Sequence, residues 1–326
     1  MIVDLPATTT SALAKKLVTL RNEVGAMALG RVLTLIIIVD TGGVDAALET
    51  ASLASRQHPC RIIAVVRGSR RGANTLDAQI RVGGDAGASE IVVLKLSGPV
   101  AHHAQNVVIP LLLADSPVVA WWPGTAPRDV HADPIGKMAS RRITDSAGAP
   151  SARAALRQRA ETYEPGDTDL AWPRITRWRA IIAATLDQAP FEPVTQVVVA
   201  GSADSPSTEL LAGWLQLRLK CPATVVKTPP GSGIASVRLV RASGPIDLVR
   251  PGATVATLTQ PHQPDRRIGL PRRSSAECLA DELRRLDPDE AYAAVLLKGV
   301  AVLAPPKKSV TQAIELGESP SIAESR

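Results

Sequence analysis

The chain has 326 residues, 45% of them apolar but only 2% aromatic, and its 37 Lys and Arg against 31 Asp and Glu give a formal net charge of +6. That length and apolar share supply packed cores for one large domain or two ordinary ones, while so few rings exclude a broad base-stacking platform for single-stranded nucleic acid. The basic surplus is small and scattered in pairs (Arg70 and Arg71, Arg141 and Arg142, Arg266 and Arg267, Arg272 and Arg273), so it reads as a solvated surface and predicts no nucleic-acid partner.

The start, MIVDLPATTT, has no basic region ahead of a long apolar stretch, and the strongest apolar run, Val32 to Val39, is far short of the ~20 residues that span a bilayer. A cytoplasmic protein without membrane contact is expected. Cys60, Cys221 and Cys278 are too far apart for a local metal pair or redox motif, and buried, reduced thiols are the default.

Leu13, Leu17, Leu20 and Val24 recur at helical spacing after the Thr8 to Ser11 cluster, which can supply an N-cap. The run Arg31 to Asp40 reads as a strand covered on both faces, released by Gly42 and Gly43 into a helix with Val44, Ala47, Leu48 and Ala51 inside. Strands follow at Cys60 to Arg67, Ala78 to Gly83 and Glu90 to Leu96. A helix from about Pro99 then carries Ala104, Val107, Val108 and Leu111 to or through a Pro110 kink, and a closing strand spans Pro117 to Trp121. The alternation predicts a largely parallel sheet, with antiparallel hairpins where the gaps are short.

Between Arg141 and Asp169 the apolar periodicity fades, which reads as a boundary and an exposed connecting arm. The second half offers a helix with Trp178, Ile181, Ile182 and Thr185 on one face and a strand at Thr195 to Ala200. A helix begun by Ser205 and Pro206 carries Leu210, Leu211, Trp214 and Leu217, and a strand follows at Ala223 to Lys227. Short β-branched runs at Ser236 to Val240, Ile246 to Val249 and Thr254 to Leu258 predict an antiparallel meander. Ser274 with Glu277, and Asp287 with Glu290 after Pro288, have capping-box spacing and mark two helix starts. The expected fold is α/β: two layered halves, with mixed sheets and helices packed on them, and the meander in the second. The boundaries are 1–145, an arm at 146–169, 170–303 and a disordered tail at 304–326.

No phosphate-binding GxGxxG or GxxxxGK[ST], and no GxSxG, is present. The turns Thr41 to Val44 and Gly201 to Ser205 follow predicted strands, where open α/β sheets often hold ligands, although each also reads as an ordinary turn. His102 and His103 would diverge on a helix, and Asp129, His131 and Asp133 alternate in one Pro-rich loop. Asp265 lies beside Arg266 and Arg267 with no second carboxylate. No catalytic, cofactor or metal constellation emerges.

Two segments are distinctive: DPIGKMASRRITDSA (Asp133 to Ala147) and YEPGDTDLAWPRITRWRAIIA (Tyr163 to Ala183). With MIVDLP, ALGRVLTLIIIV, SPVVAWWPG and LPRRSSAECLADELRRLDPDEAY, they make the chain, from Met1 to about Leu303, resemble the glucose-6-phosphate dehydrogenase assembly protein family of actinobacteria and cyanobacteria. Pro173 departs from the family's pattern at the start of its helix. The resemblance implies a non-catalytic partner, without cofactor, that binds oligomeric glucose-6-phosphate dehydrogenase and raises its activity, feeding the oxidative pentose phosphate pathway. It carries over no catalytic residue.

Large rings beside guanidinium groups are the residue types that concentrate binding energy at interfaces. On that basis the partner surface is expected among Trp121, Trp122, Arg141, Arg142, Tyr163, Asp167, Asp169, Trp172, Arg174, Arg177 and Arg179. Trp178, on a stripe with Ile181 and Ile182, reads as core, and Trp121 and Trp122 point to opposite faces if both lie on a strand. A sugar-phosphate or nucleotide-binding enzyme, using the strand-to-helix turns and the Arg clusters, is the alternative reading.

Overall fold

The computed structural model describes residues 1–24, 32–69, 71–82, 90–202 and 204–305. Arg31, Arg70, Gly83 and the expected disordered tail from residue 306 onward lie outside the described residues. In chain order the elements are β1 (Ile2–Leu5), α1 (Thr10–Val24), β2 (Leu33–Asp40), α2 (Val44–Ser55), β3 (Cys60–Arg67), β4 (Thr75–Arg81), β5 (Glu90–Ser97), α3 (Ala104–Val108), β6 (Val118–Trp122), β7 (Arg141–Thr144), α4 (Ala152–Glu161), β8 (Asp167–Asp169), α5 (Ala171–Arg174) and α6 (Thr176–Leu186). They continue with β9 (Gln196–Ser202), α7 (Pro206–Leu219), β10 (Ala223–Thr228), β11 (Ile234–Val240), β12 (Ile246–Val249), β13 (Val255–Thr259), β14 (Arg266–Gly269), α8 (Ser275–Arg284) and α9 (Glu290–Ala294).

The chain forms two compact units, and neither is continuous in sequence. The first takes Met1–Gly148, Thr162–Leu170 and Ser274–Pro288; the second takes Ala149–Glu161, Ala171–Arg273 and Asp289–Arg326.

In the first unit eight strands run in the order β1-β4-β5-β3-β2-β6-β7-β8. The six from β5 to β8 are parallel, and β4 and β1 add an antiparallel flank through β4–β5 and β1–β4 pairing. This is the doubly wound order, in which the chain winds one way from β2 through β3 to β5 and the other way from β6 through β7 to β8. Alternate β2 residues feed two cores. Ile36 and Ile38 pack with the apolar stripe of α1, Leu13, Leu17 and Leu20, while Leu35 and Ile37 pack with Ala47, Leu48 and Ala51 of α2 and Leu279 and Leu283 of α8. Trp122 belongs to the first core and Trp121 to the second, the opposite-face arrangement that adjacent strand residues dictate.

The predicted closing strand does not end this sheet. The arm expected at 146–169 instead holds α4 and β8, and β7 and β8 extend the sheet beyond β6. Periodicity failed there because β7 is Arg-Arg-Ile-Thr with all four residues buried, and β8 is Asp-Thr-Asp, likewise buried. Hydrogen bonding rather than an apolar stripe stabilises these strands. Gly166 makes the turn into β8 possible: its φ is +97°, and a Cβ there would lie 2.4 Å from the Ser140 carbonyl oxygen. The predicted helix is in three pieces, a 3-10 turn at Gly98–His102, α3, and a 3-10 turn at Ile109–Leu111 where Pro110 ends the α-helical run.

The second unit carries a six-stranded sheet, β10-β9-β11-β12-β13-β14, parallel at β10–β9 and antiparallel from β9 onward. The predicted meander is present and gains β14, whose Arg266 and Arg267 are exposed; charge on an outermost strand hides it from an apolar search and discourages edge-to-edge pairing. The Ser274–Glu277 capping box forms with both hydrogen bonds, but the second helix start falls two residues later than predicted, with Asp289 capping the Tyr292 amide of α9. No described helix is long and apolar enough to cross a membrane.

Candidate functional site

The structure takes seven of the eleven expected partner-surface side chains out of solvent: Trp121, Trp122, Arg141, Arg142, Asp167, Asp169 and Trp172 are all buried. Each buried charge among them finds a partner, as burial of an ion demands. Arg141 pairs with Glu282 of α8 through Nε at 3.0 Å and donates Nη1 to the Asp287 carbonyl at 2.8 Å. Arg142 pairs with Asp167 and donates Nη1 to the Ala139 carbonyl at 2.8 Å. Burial raises the Asp167 carboxyl above its usual range, against the lowering effects of the Glu164 amide and Arg142. Asp169 accepts from the Thr144 hydroxyl at 2.7 Å and from the Ser146 amide and hydroxyl at 2.9 and 2.6 Å, tying β8 to β7.

Trp172, 2% exposed, sits inside the second unit. Its indole N–H donates to Asp289 at 2.8 Å, the Arg179 guanidinium lies 3.7 Å over its ring, and Tyr292 is 5.9 Å away. Pro173 is buried in the short α5, its carbonyl accepting from Arg273, and α6 starts afresh at Thr176. Trp178 is core, as expected, and Arg250 lies 5.1 Å over its ring. Burial and the nearby Arg272 charge lower the Arg250 pKa to about 10.

Four expected surface residues keep exposure: Tyr163, Arg174 and Arg179 in part, while Arg177 is exposed. To these the structure adds Phe191, 79% exposed, five residues beyond the end of α6. Its loop is pinned. The Pro190 carbonyl accepts from Arg241 at 3.3 Å and from the Glu192 amide at 3.1 Å, and Glu192 accepts the Ser243 amide at 3.1 Å. Hydrogen bonds from Ser243, side chain and then backbone, hold the Glu192 carboxyl below its ordinary range. Sequence reasoning passed over Phe191, yet it is the only Phe of the chain and stands between Pro190 and Pro193, outside any periodic run.

The other sequence candidates serve the fold locally. Asp129 accepts the Ala132 amide, and Asp133 accepts the Ile135 amide and the Arg67 guanidinium. Asp265 accepts the Thr259 hydroxyl. Among the described residues no group of three or more His, Cys, Asp or Glu could hold a metal ion, and Cys60, Cys221 and Cys278 are all buried.

Residues 51–161 match the family model for the glucose-6-phosphate dehydrogenase subunit N-terminal domain, and residues 165–296 match that for its C-terminal domain. The chain belongs to the glucose-6-phosphate dehydrogenase assembly protein family. The segments that first suggested this membership, around Arg141 and Arg142 and from Tyr163 to Ala183, are those that supply the buried ion pairs and the Trp172 cluster, so this family signature is largely architectural. None of the curated proteins compared with the chain matches it.

Solved structures similar to it include a Gfo/Idh/MocA family oxidoreductase from Vibrio cholerae (12% identity, TM-score 0.39, covering 87% of this chain and 99% of that one). An oxidoreductase from Sinorhizobium meliloti aligns at 11% identity and TM-score 0.42, over 82% of this chain and 94% of its own. The myo-inositol dehydrogenase from Lactobacillus casei aligns at 8% and 0.35, over 90% and 98%. At these TM-scores the likeness carries no argument about function.

Proposed function

We propose that the protein is a non-catalytic partner that binds oligomeric glucose-6-phosphate dehydrogenase and activates it, promoting the oxidative pentose phosphate pathway. The observation that carries this reading is the pair of family models, both described as parts of a subunit of that dehydrogenase. The docking surface of the second unit centres on Arg177, Arg174 and Arg179 at one end of α6 and Phe191 beyond the other. Eleven helical residues span about 16 Å, so these groups fall within the dimensions of one standard interface. An exposed aromatic in a pinned loop loses little conformational entropy on binding, and Arg supplies directional donors at the rim. Tyr163 is a separate, half-exposed candidate on the first unit.

The test is co-elution of the two purified proteins followed by a rate assay of the mixture. The expected result is a shared elution peak and a higher dehydrogenase rate than the enzyme alone shows. The protein by itself should turn over none of the dehydrogenase, lactonase or phosphatase substrates. Separate elution with an unchanged rate, or reproducible turnover by the isolated chain that a single substitution removes, overturns the proposal.

A further inference from the structure

The parallel sheet of the first unit reverses its winding between β2 and β6, and open α/β sheets hold ligands beyond the carboxyl ends of the strands at such a reversal. At that place lies a cavity of about 390 Å³. Its lining includes Asp40 and Gly43 from the β2–α2 turn, Ala46 from α2, Arg67 at the end of β3, Trp121 from β6 and Asp145 after β7. The elements that build it belong to one compact unit.

Two side-chain donors on lining residues lack an acceptor, and the helix start beside them has no side-chain cap. The Trp121 indole N–H is buried without a hydrogen-bond partner, and the residue is 2% exposed. Arg67 spends Nη2 on Asp133 at 3.2 Å, while its Nε is buried and unpartnered. Neither the 3-10 turn Thr41–Gly43 nor α2, a helix of 12 residues, has a side-chain cap at its start. Buried N–H groups without acceptors are destabilising, and a helix start without a side-chain cap favours an anion; the one acidic residue in the first turn of α2, Asp45, is exposed. The carboxylates of Asp40 and Asp145, on the same lining, accept hydroxyl groups.

The turn beside the cavity is tight at Gly43 and open to solvent at Gly42. A Cβ on Gly43 would come within 2.9 Å of Val39, so this glycine lets α2 sit close on β2, whereas a Cβ on Gly42 would meet nothing within 4 Å. We infer that the cavity binds a phosphate ester of a hydroxylated sugar, the phosphate at the Thr41–Val44 turn and the sugar hydroxyls against Asp40 and Asp145. Arg67 Nε and Trp121 Nε1 supply the remaining donors to the ester oxygens. Ribose phosphate chemistry of this kind comes from a free sugar phosphate or from a nucleotide, and the cavity volume is sufficient for either.

The experiment is calorimetric titration of the isolated full-length protein with ribose 5-phosphate, with AMP and with inorganic phosphate. It needs no dehydrogenase, so its failure leaves the docking proposal standing. At least one ester is expected to bind more tightly than inorganic phosphate; AMP alone assigns the site to nucleotides, and both assign it to the sugar phosphate moiety. Gly42→Asp puts a carboxylate in the open space beside the phosphate and should weaken binding at least about tenfold, on the scale of one like-charge contact near a protein surface, while Gly42→Ala retains it. Ala46→Phe, grown from an exposed lining position, should also remove binding, with the melting temperature unchanged. The proposal is overturned by binding of neither ester, by equal affinity for inorganic phosphate, or by full affinity in a folded Gly42→Asp protein.

Discussion

Trp172 shows how one residue type supports two opposite readings. A ring beside Arg174, Arg177 and Arg179 suits an interface anchor, but the same guanidinium chemistry packs over a buried ring, as Arg179 does at 3.7 Å. The residue that decides between the readings, Asp289, is 117 positions away, beyond the reach of any local pattern. Trp172→Ala should therefore cost about 3–5 kcal/mol of stability, the range for deleting a large buried ring, as measured by denaturant unfolding. Glu209 offers a residue-scale test in pH. Burial raises its carboxyl from the ordinary 4.5, against the charges of Arg153, Arg157 and Lys227. The folded protein then takes up this proton before the unfolded chain does, so the residue's contribution to stability is lost as pH rises through the raised pKa and regained on acidification. Relative to Glu209→Gln, the unmutated protein should gain melting temperature as pH falls from 7 towards 4.5; a constant difference between the two would show that the carboxyl is not perturbed.

At the scale of elements, apolar periodicity revealed the strands covered on both faces and the helices with an apolar stripe, because β2, β3 and α1 owe their place to hydrophobic burial. It was silent where burial is polar. β7 and β8 extend the backbone ladder from β6 and are tied to each other by Arg142–Asp167 and by the three hydrogen bonds to Asp169, an arrangement no hydrophobic pattern can signal. Removing one partner of a buried pair leaves an uncompensated charge, so Arg142→Ala should destabilise the first unit by about 3–5 kcal/mol. Capping chemistry lies between these cases. The Ser274–Glu277 box is local and was legible, and Ser274→Ala should cost roughly 1 kcal/mol in chemical denaturation; the second cap is Asp289, which also accepts the distant Trp172 indole N–H.

At the scale of the molecule, the chain returns to its first unit with residues Ser274–Pro288, so that α8 covers the α2 side of the sheet; sequence order alone would have placed it with the second half. Burial also changes which residues the proposed docking surface can include, and the two versions of that proposal predict opposite outcomes. If docking runs through the exposed groups, Arg177→Ala with Phe191→Ala should weaken association with glucose-6-phosphate dehydrogenase by about 2 kcal/mol, roughly thirtyfold in Kd. The melting temperature should barely move, because substitutions at exposed positions seldom shift stability by more than ~0.5 kcal/mol. Trp172→Ala should show the converse, a large drop in melting temperature with the affinity of the folded fraction retained. Measuring both quantities on both variants separates contact from support. Unchanged affinity in the Arg177 and Phe191 double variant would remove the α6 end and the Phe191 loop from the interface. The half-exposed Tyr163 on the first unit would then be the next position to substitute, since it is the remaining exposed aromatic among the residues first singled out by composition.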